Sequence, residues 1–289
     1  METHSQKSDL KPYLVGIDSD GTAFDSMEIK HRKVFQPIGV DIWGLQSLES
    51  EFCEEAEFIN LYSTHRGVNR FQGLAMVFER LRRRPELLSR VPDPSGLRDF
   101  VLSGRPLSVR SLEEYVQGRP ETFLSEVIAW SQRSDEEYAR VTASEGNPAY
   151  PLVRDSLERA RLQAELWIIS SSSRAGLQHD WGEADLLGLI DHVAGQEMGN
   201  KTVQLQTALQ ALRTRDHSLM IGDAPGDLDA ASAAGTLFFP ILPGREKESW
   251  ERFHGEALDR FFAGTFAGDY ERTLQHEFAA VLREDAPWP

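Results

Sequence analysis

The sequence predicts an α/β fold, a doubly wound parallel sheet with a mostly α-helical module inserted between its first and second strands. Three observations predict it. Five short apolar runs, the clearer ones continuous rather than alternating, read as strands buried on both faces. Helical patterns separate the later runs, and strand–helix–strand alternation makes a sheet parallel. Residues 26–150, between the first two runs, show helical patterns and no clear strand.

The first run is residues 13–17, Tyr-Leu-Val-Gly-Ile, and the second is 166–169, Leu-Trp-Ile-Ile. A weaker one spans 192–194. The fourth is 218–221, Ser-Leu-Met-Ile, and the fifth 237–241, Leu-Phe-Phe-Pro-Ile. Between the third and fourth, residues 202–212 place Val203, Leu205, Ala208, Leu209 and Leu212 at helical spacing. Residues 227–234 are alanine-rich and stop at Gly235, a C-terminal helix signal. In the insertion, helices are expected at 51–62, 71–81 and 121–141, interrupted by Pro/Gly clusters at 91–96 and 146–148. The tail from 246 reads as one or two helices packed on the sheet. The expected division is therefore an α/β core of 12–25 plus 151–289, and a helical module of 26–150. The basic run 80–84 reads as a solvated helix end.

Composition removes several function classes. The formal net charge of -15 over 289 residues disfavours broad binding to a nucleic-acid backbone. It leaves room for a small phosphorylated substrate, which is held by local donors and a cation. Cys53 is the single cysteine, so no internal disulfide forms and a Cys/His zinc site is disfavoured. The polar first residues and the lack of an apolar run near the ~20 residues of a membrane helix predict a cytoplasmic protein. His31, His65, His179 and His192 share no metal-ligand spacing. There is no G-x-G-x-x-G after the first strand and no P-loop, which argues against a nucleotide-binding Rossmann protein.

Ligands of open α/β sheets bind beyond the carboxyl ends of the strands. After the first strand comes Asp18-Ser19-Asp20-Gly21-Thr22, and after the second Ser170-Ser171-Ser172-Ser173-Arg174. Lys201 precedes the helix before the fourth strand, which is followed by Gly222-Asp223-Ala224-Pro225-Gly226-Asp227. Carboxylates, hydroxyls and one ammonium thus meet at one sheet edge, an inventory for a hard cation and a phosphoryl group together. Asp-x-Asp also opens an EF-hand loop, but Ala23 falls where a ligand is needed and Gly21 comes too early.

These four segments, in this order and strand context, resemble the motifs of haloacid-dehalogenase-like hydrolases. Asp18–Thr22 matches the first, Ser170 or Ser171 the second, Lys201 the third, and Gly222-Asp223 with Asp227 the fourth. The resemblance covers residues 12–25 and 152–242 and implies a Rossmann-like core with a helical cap inserted after the first motif. It implies that Asp18 is a nucleophile that becomes phosphorylated. Asp20 then serves as acid and base, and Lys201 offsets charge on the phosphoryl oxygens. It also implies a magnesium ion held by Asp18, the backbone carbonyl of Asp20 and Asp223, with Asp227 as a further ligand or an acceptor behind them. The loop of Ser170, Ser171 and Ser172 would hold the phosphoryl oxygens, with Ser171 or Ser170 giving the hydroxyl.

A second aspartate at Asp20 favours phosphate esters over dehalogenation, because a halide leaves without a proton. The expected function is a magnesium-dependent phosphatase acting on a small phosphorylated metabolite. The alternatives are a sugar-phosphate mutase using the same residues, or a non-catalytic phosphate-binding regulatory protein. The partners expected are that substrate and, at most, a second copy of the chain in a homodimer, with no nucleic acid and no membrane. In the module, Arg66 and Arg70 flank Gly67 in a loop between two expected helices. They are candidates for gripping the substrate's leaving group, against a reading in which they pair with acids such as Glu54 or Glu57.

Overall fold

The computed structural model describes residues 11–117, 121–212 and 217–286, with side chains of all of these except 210–212. Five parallel strands form one sheet in the order β3-β2-β1-β4-β5. They are β1 Tyr13–Ile17, β2 Ala164–Ile169, β3 His192–Ala194, β4 Ser218–Gly222 and β5 Leu237–Pro240. The central strand pairs Val15 with Leu166 on one side and with Leu219 on the other. Val15, Ile17, Leu166, Ile168, Leu219 and Ile221 are buried in one cluster, as strands covered on both faces require. Gly16 has a positional reason. A Cβ there would lie 3.0 Å from Ile169 Cγ1 and 3.2 Å from Leu205 Cδ2, so the glycine lets the helix Lys201–Leu212 press onto the sheet.

That helix exposes Val203, which the spacing had assigned to its apolar side, and buries Gln204, Leu205, Ala208 and Leu209. The helix after β4 is Pro225–Ala234, and Gly235 ends it at φ 74°, donating to the carbonyls of Ala231 and Ser232. Where the chain leaves this unit and returns to it, Phe24 bridges Ala149 in antiparallel fashion and the Tyr150 N–H donates to Ala23 O.

The described chain divides into two compact units, one of residues 11–25 with 147–281, the other of 26–146 with 282–286. The helix Asp269–Val281 packs on the sheet unit, with Phe278 5.7 Å from Phe238 between ring centroids. The chain beyond it corrects the expected core boundary. From Leu282 it joins the helical unit, because Thr64 N donates to Arg283 O and Arg283 N to Tyr62 O, both at 3.0 Å. No strand pattern existed in the tail to foretell that exchange.

The helical unit is built around Trp43, Phe52, Phe78, Phe123 and Trp130, whose rings meet at tilted or edge angles. The expected helices are present as Glu49–Glu57, Arg70–Arg82 and Thr122–Glu145, with Ser95–Leu102 and Val109–Val116 besides. Two segments, Ile29–Phe35 and Phe58–Tyr62, are π-helical. The basic run is tied down within the unit: Arg80 and Arg84 both pair with buried Glu55, and Arg82 donates to the carbonyls of Leu88 and Val91. Among the described residues, no helix is long and apolar enough to cross a membrane.

Candidate active site

The carboxyl ends of β1, β2 and β4 each end in a loop carrying chemistry. Asp18 follows β1 directly, and its N–H still donates to Ile221 O of β4 at 2.9 Å, so the strand ladder aims it. Gly21 turns the chain at φ 76°, a conformation L side chains rarely adopt. The turn closes on itself, with Ala23 N and Phe24 N both donating to Ser19 O. Two tryptophans lock it from behind. Trp181 Nε1 donates to Ser19 Oγ at 3.0 Å and Trp250 Nε1 to Thr22 O at 2.8 Å. Thr22 Oγ1 in turn donates to Asp223 Oδ1 at 2.7 Å, fixing a carboxylate from the β4 loop.

Asp227 lies on the first turn of the helix Pro225–Ala234, fully buried, and accepts from Ala224 N at 3.0 Å. Gly222 makes this approach feasible, since a Cβ there would meet the Asp227 side chain at 2.4 Å. Lys201 Nζ then bridges the two loops, 2.9 Å from Asp18 Oδ1 and 2.6 Å from Asp227 Oδ1. One oxygen from each of Asp18, Asp223 and Asp227 lies within 4.8 Å of the other two.

Three buried carboxylates around one ammonium leave the cluster short of positive charge. Burial raises the Asp18 carboxyl well above its ordinary value. Lys201 pulls it back, while Asp227, Asp223 and Asp20 push it further up. Asp227 is raised for the same reasons, burial first. Burial alone would lower Lys201, yet the two carboxylates outweigh it and hold the ammonium above its usual range. The donor set fits a hard divalent cation. It consists of carboxylate oxygens, with no histidine or cysteine among them, and the unmet negative charge is what such an ion would neutralise.

The β2 loop separates the serines by role. Ser170, at the strand end, is buried, and its Oγ accepts from Ser172 N at 3.2 Å. Ser171 is exposed. Ser172 Oγ donates to Asp20 Oδ2 at 2.9 Å, and Ser173 caps the next helix by accepting from Gly176 N. Behind Ser170 lies Gln204, which the sequence reading missed. The one signal for it was an amide at a buried helix position, three residues after Lys201.

The model of the haloacid dehalogenase-like hydrolases matches residues 14–235, well over half of the chain. The chain belongs to this family. No curated protein matches it. Among solved structures, a Lactobacillus delbrueckii subsp. bulgaricus protein assigned as a phosphoglycolate phosphatase is 13% identical with a TM-score of 0.52. That alignment covers 90% of this chain and 100% of the other. A Thermotoga maritima protein assigned as a beta-phosphoglucomutase is 15% identical with a TM-score of 0.51, over 84% and 97% of the two chains. At such identities the likeness is one of fold.

Asp18, Lys201, Asp223 and Asp227 thus come together, with Asp20 tied to the serine loop, all within the sheet unit of this hydrolase. Arg66 and Arg70 belong to the helical unit and are engaged there. Arg66 is buried and donates to Leu61 O at 2.9 Å. Arg70 donates to Ser131 O and Oγ, pairs with Asp135 at 2.7 Å, and lies over the Phe35 ring. Glu57, named as a partner for them, pairs with Arg32.

Proposed function

We propose that this hydrolase is a magnesium-dependent phosphatase of a small phosphorylated metabolite, working through an aspartyl-phosphate on Asp18. The observation that carries the reading is the pairing of two aspartates in one turn with opposite settings. Asp18 is buried against Lys201, and Asp20 is only partly buried and held by Ser172. That split suits a nucleophile and a proton carrier.

An Asp18 oxygen attacks phosphorus as the bond to the ester oxygen breaks. Asp20 gives its proton to that leaving oxygen. The Ser172 hydroxyl, donating to Asp20 Oδ2, orients the carboxyl group for that transfer. Asp20, now a carboxylate, takes a proton from the water that attacks the phosphorus of the aspartyl-phosphate. Inorganic phosphate leaves and the Asp18 carboxylate is restored. Lys201, 2.9 Å from Asp18 Oδ1, favours the ionised form of the nucleophile against the pull of burial and offsets charge on the phosphoryl oxygens. Ser170 and the amides of its loop offer donors to those oxygens. Asp18, Asp223 and Asp227, with the Asp20 carbonyl, would hold magnesium, which when bound supplies the positive charge the carboxylates lack.

The test is phosphate release from a panel of phosphomonoesters, with magnesium and after exhaustive chelation. Release that stops on chelation and in Asp18→Asn is expected. Full activity after either treatment would overturn the reading. A mutase would instead return an isomeric phosphate ester without releasing inorganic phosphate.

A further inference from the structure

Gln204 is fully buried on the helix that begins at Lys201. Its carboxamide makes four hydrogen bonds. Oε1 accepts from Ser170 N at 3.0 Å. Nε2 lies 2.9 Å from Ser170 O, 3.0 Å from Gly195 O and 2.9 Å from Gly199 O. Two hydrogens serve three carbonyls, so one is shared. The side chain therefore grips both polar backbone groups of the residue at the end of β2, and two carbonyls of the segment that leads from β3 into the helix. Lys201 and Gln204 are three positions apart, neighbours on one helix face. No other side chain does this job at this size. A leucine removes all four of these bonds, and an ionised glutamate cannot donate to any carbonyl.

We propose that Gln204 is a positioning residue for catalysis. By clamping the Ser170 backbone to the Lys201 helix, it fixes how the serine loop and the ammonium face one phosphoryl group. The assignment rests on the phosphatase reading above. A loosened clamp leaves each donor in place but lets the two drift relative to Asp18, and displacements of about 1 Å can cost about 10²-fold in rate. The loss should fall on kcat, since the drift spoils the reacting geometry more than the grip on the rest of the substrate.

The test compares Gln204→Leu with Leu157→Ala, a buried core change on the helix Val153–Ala160 that removes none of these hydrogen bonds. Both lower Tm. At a temperature where circular dichroism shows both folded, Gln204→Leu should lose about 10²-fold in kcat on a generic ester, with KM little changed. Leu157→Ala should keep its kcat. Gln204→Glu gives a second readout that survives if Gln204→Leu fails to fold. Its protonated acid can donate one hydrogen bond and its carboxylate none, so its kcat relative to wild type should rise as pH falls. Equal kcat in Gln204→Leu and Leu157→Ala, or a flat relative kcat for Gln204→Glu, overturns the assignment and leaves the phosphatase reading intact. Wild-type protein that releases no phosphate from any ester overturns both.

Discussion

Each unit of the molecule buries a cluster of charge, and the two are built to opposite rules. In the helical unit Glu55 is 2% exposed and lies 2.5 Å from Arg80 Nε and 3.0 Å from Arg84 Nη2. Arg80 also covers the Phe58 ring. The one acid there has two partly exposed cations, so the buried charge is answered. In the sheet unit Lys201 pairs with Asp18 and Asp227, and Asp223 stands beside them, so three carboxylates meet one ammonium. A buried charge cluster that is fully paired serves packing. One left short of a counter-charge costs stability, and a fold retains it where a cation and a substrate complete it.

The largest effect should come from breaking the unanswered cluster. Asp18→Asn removes the nucleophile, and turnover should fall about 10⁴-fold or more, as when a nucleophile is lost elsewhere. In metal-free buffer the same variant should melt higher than wild type, because a buried carboxylate short of partners has gone while Lys201 keeps Asp227. Differential scanning calorimetry with and without magnesium checks this. A lower Tm in metal-free buffer would mean that Asp18 is fully paired, and the contrast between the clusters would fail.

The answered cluster should respond the other way. Glu55→Gln leaves two arginines facing a neutral amide, and a broken buried pair costs about 3–5 kcal/mol. The arginines are 21% and 24% exposed, so the low end, about 3 kcal/mol, is expected in urea unfolding. Turnover of a generic ester per folded molecule should not change. A loss of turnover larger than the loss of folded protein would give Glu55 a part in the chemistry.

This contrast also explains what could be read from the chain before its structure. The site's acids are close in sequence, Asp18 with Asp20 and Asp223 with Asp227, each set carried on one turn after a strand. Strand runs buried on both faces stand out without any knowledge of their neighbours. The helical unit spreads its pairs widely. Arg70 meets Asp135, 65 positions away, and Arg66 meets a main-chain carbonyl, so neither partner leaves a local pattern. The π-helical turn at Ile29–Phe35 adds a residue to the helical period, which blurs the spacing used to find a helix. Gln204 was hidden for another reason. Its four partners are backbone groups, which a sequence does not distinguish.

A smaller effect belongs to Ser172, exposed enough that solvent competes for its bond to Asp20. Ser172→Ala should lower kcat about ten-fold, in keeping with one hydrogen bond to a charged group. The loss should shrink for esters whose leaving group departs without a proton. If it is the same for every ester, Ser172 acts on the phosphoryl group rather than through Asp20.

The smallest effect, and the finest test of the comparison, concerns two buried glutamines. Gln204 in the sheet unit has its carboxamide fully bonded. Gln36 in the helical unit is 4% exposed, and its Nε2 has no hydrogen-bond partner among the described residues. It lines a cavity of about 20 Å³ beside Phe35, Phe52, Leu74 and Trp130, a space that admits one water. An unbonded buried amide costs about 1–3 kcal/mol, whereas methionine has the same length and suits an aromatic wall. Gln36→Met should therefore raise the unfolding free energy by about 1 kcal/mol. Gln204→Met, the same chemical change, should lower it, because it removes four hydrogen bonds to backbone groups. Urea titrations of the two variants side by side read the sign directly. A loss of stability in Gln36→Met would show that solvent in the small cavity answers the Gln36 amide, and that both units satisfy their buried glutamines.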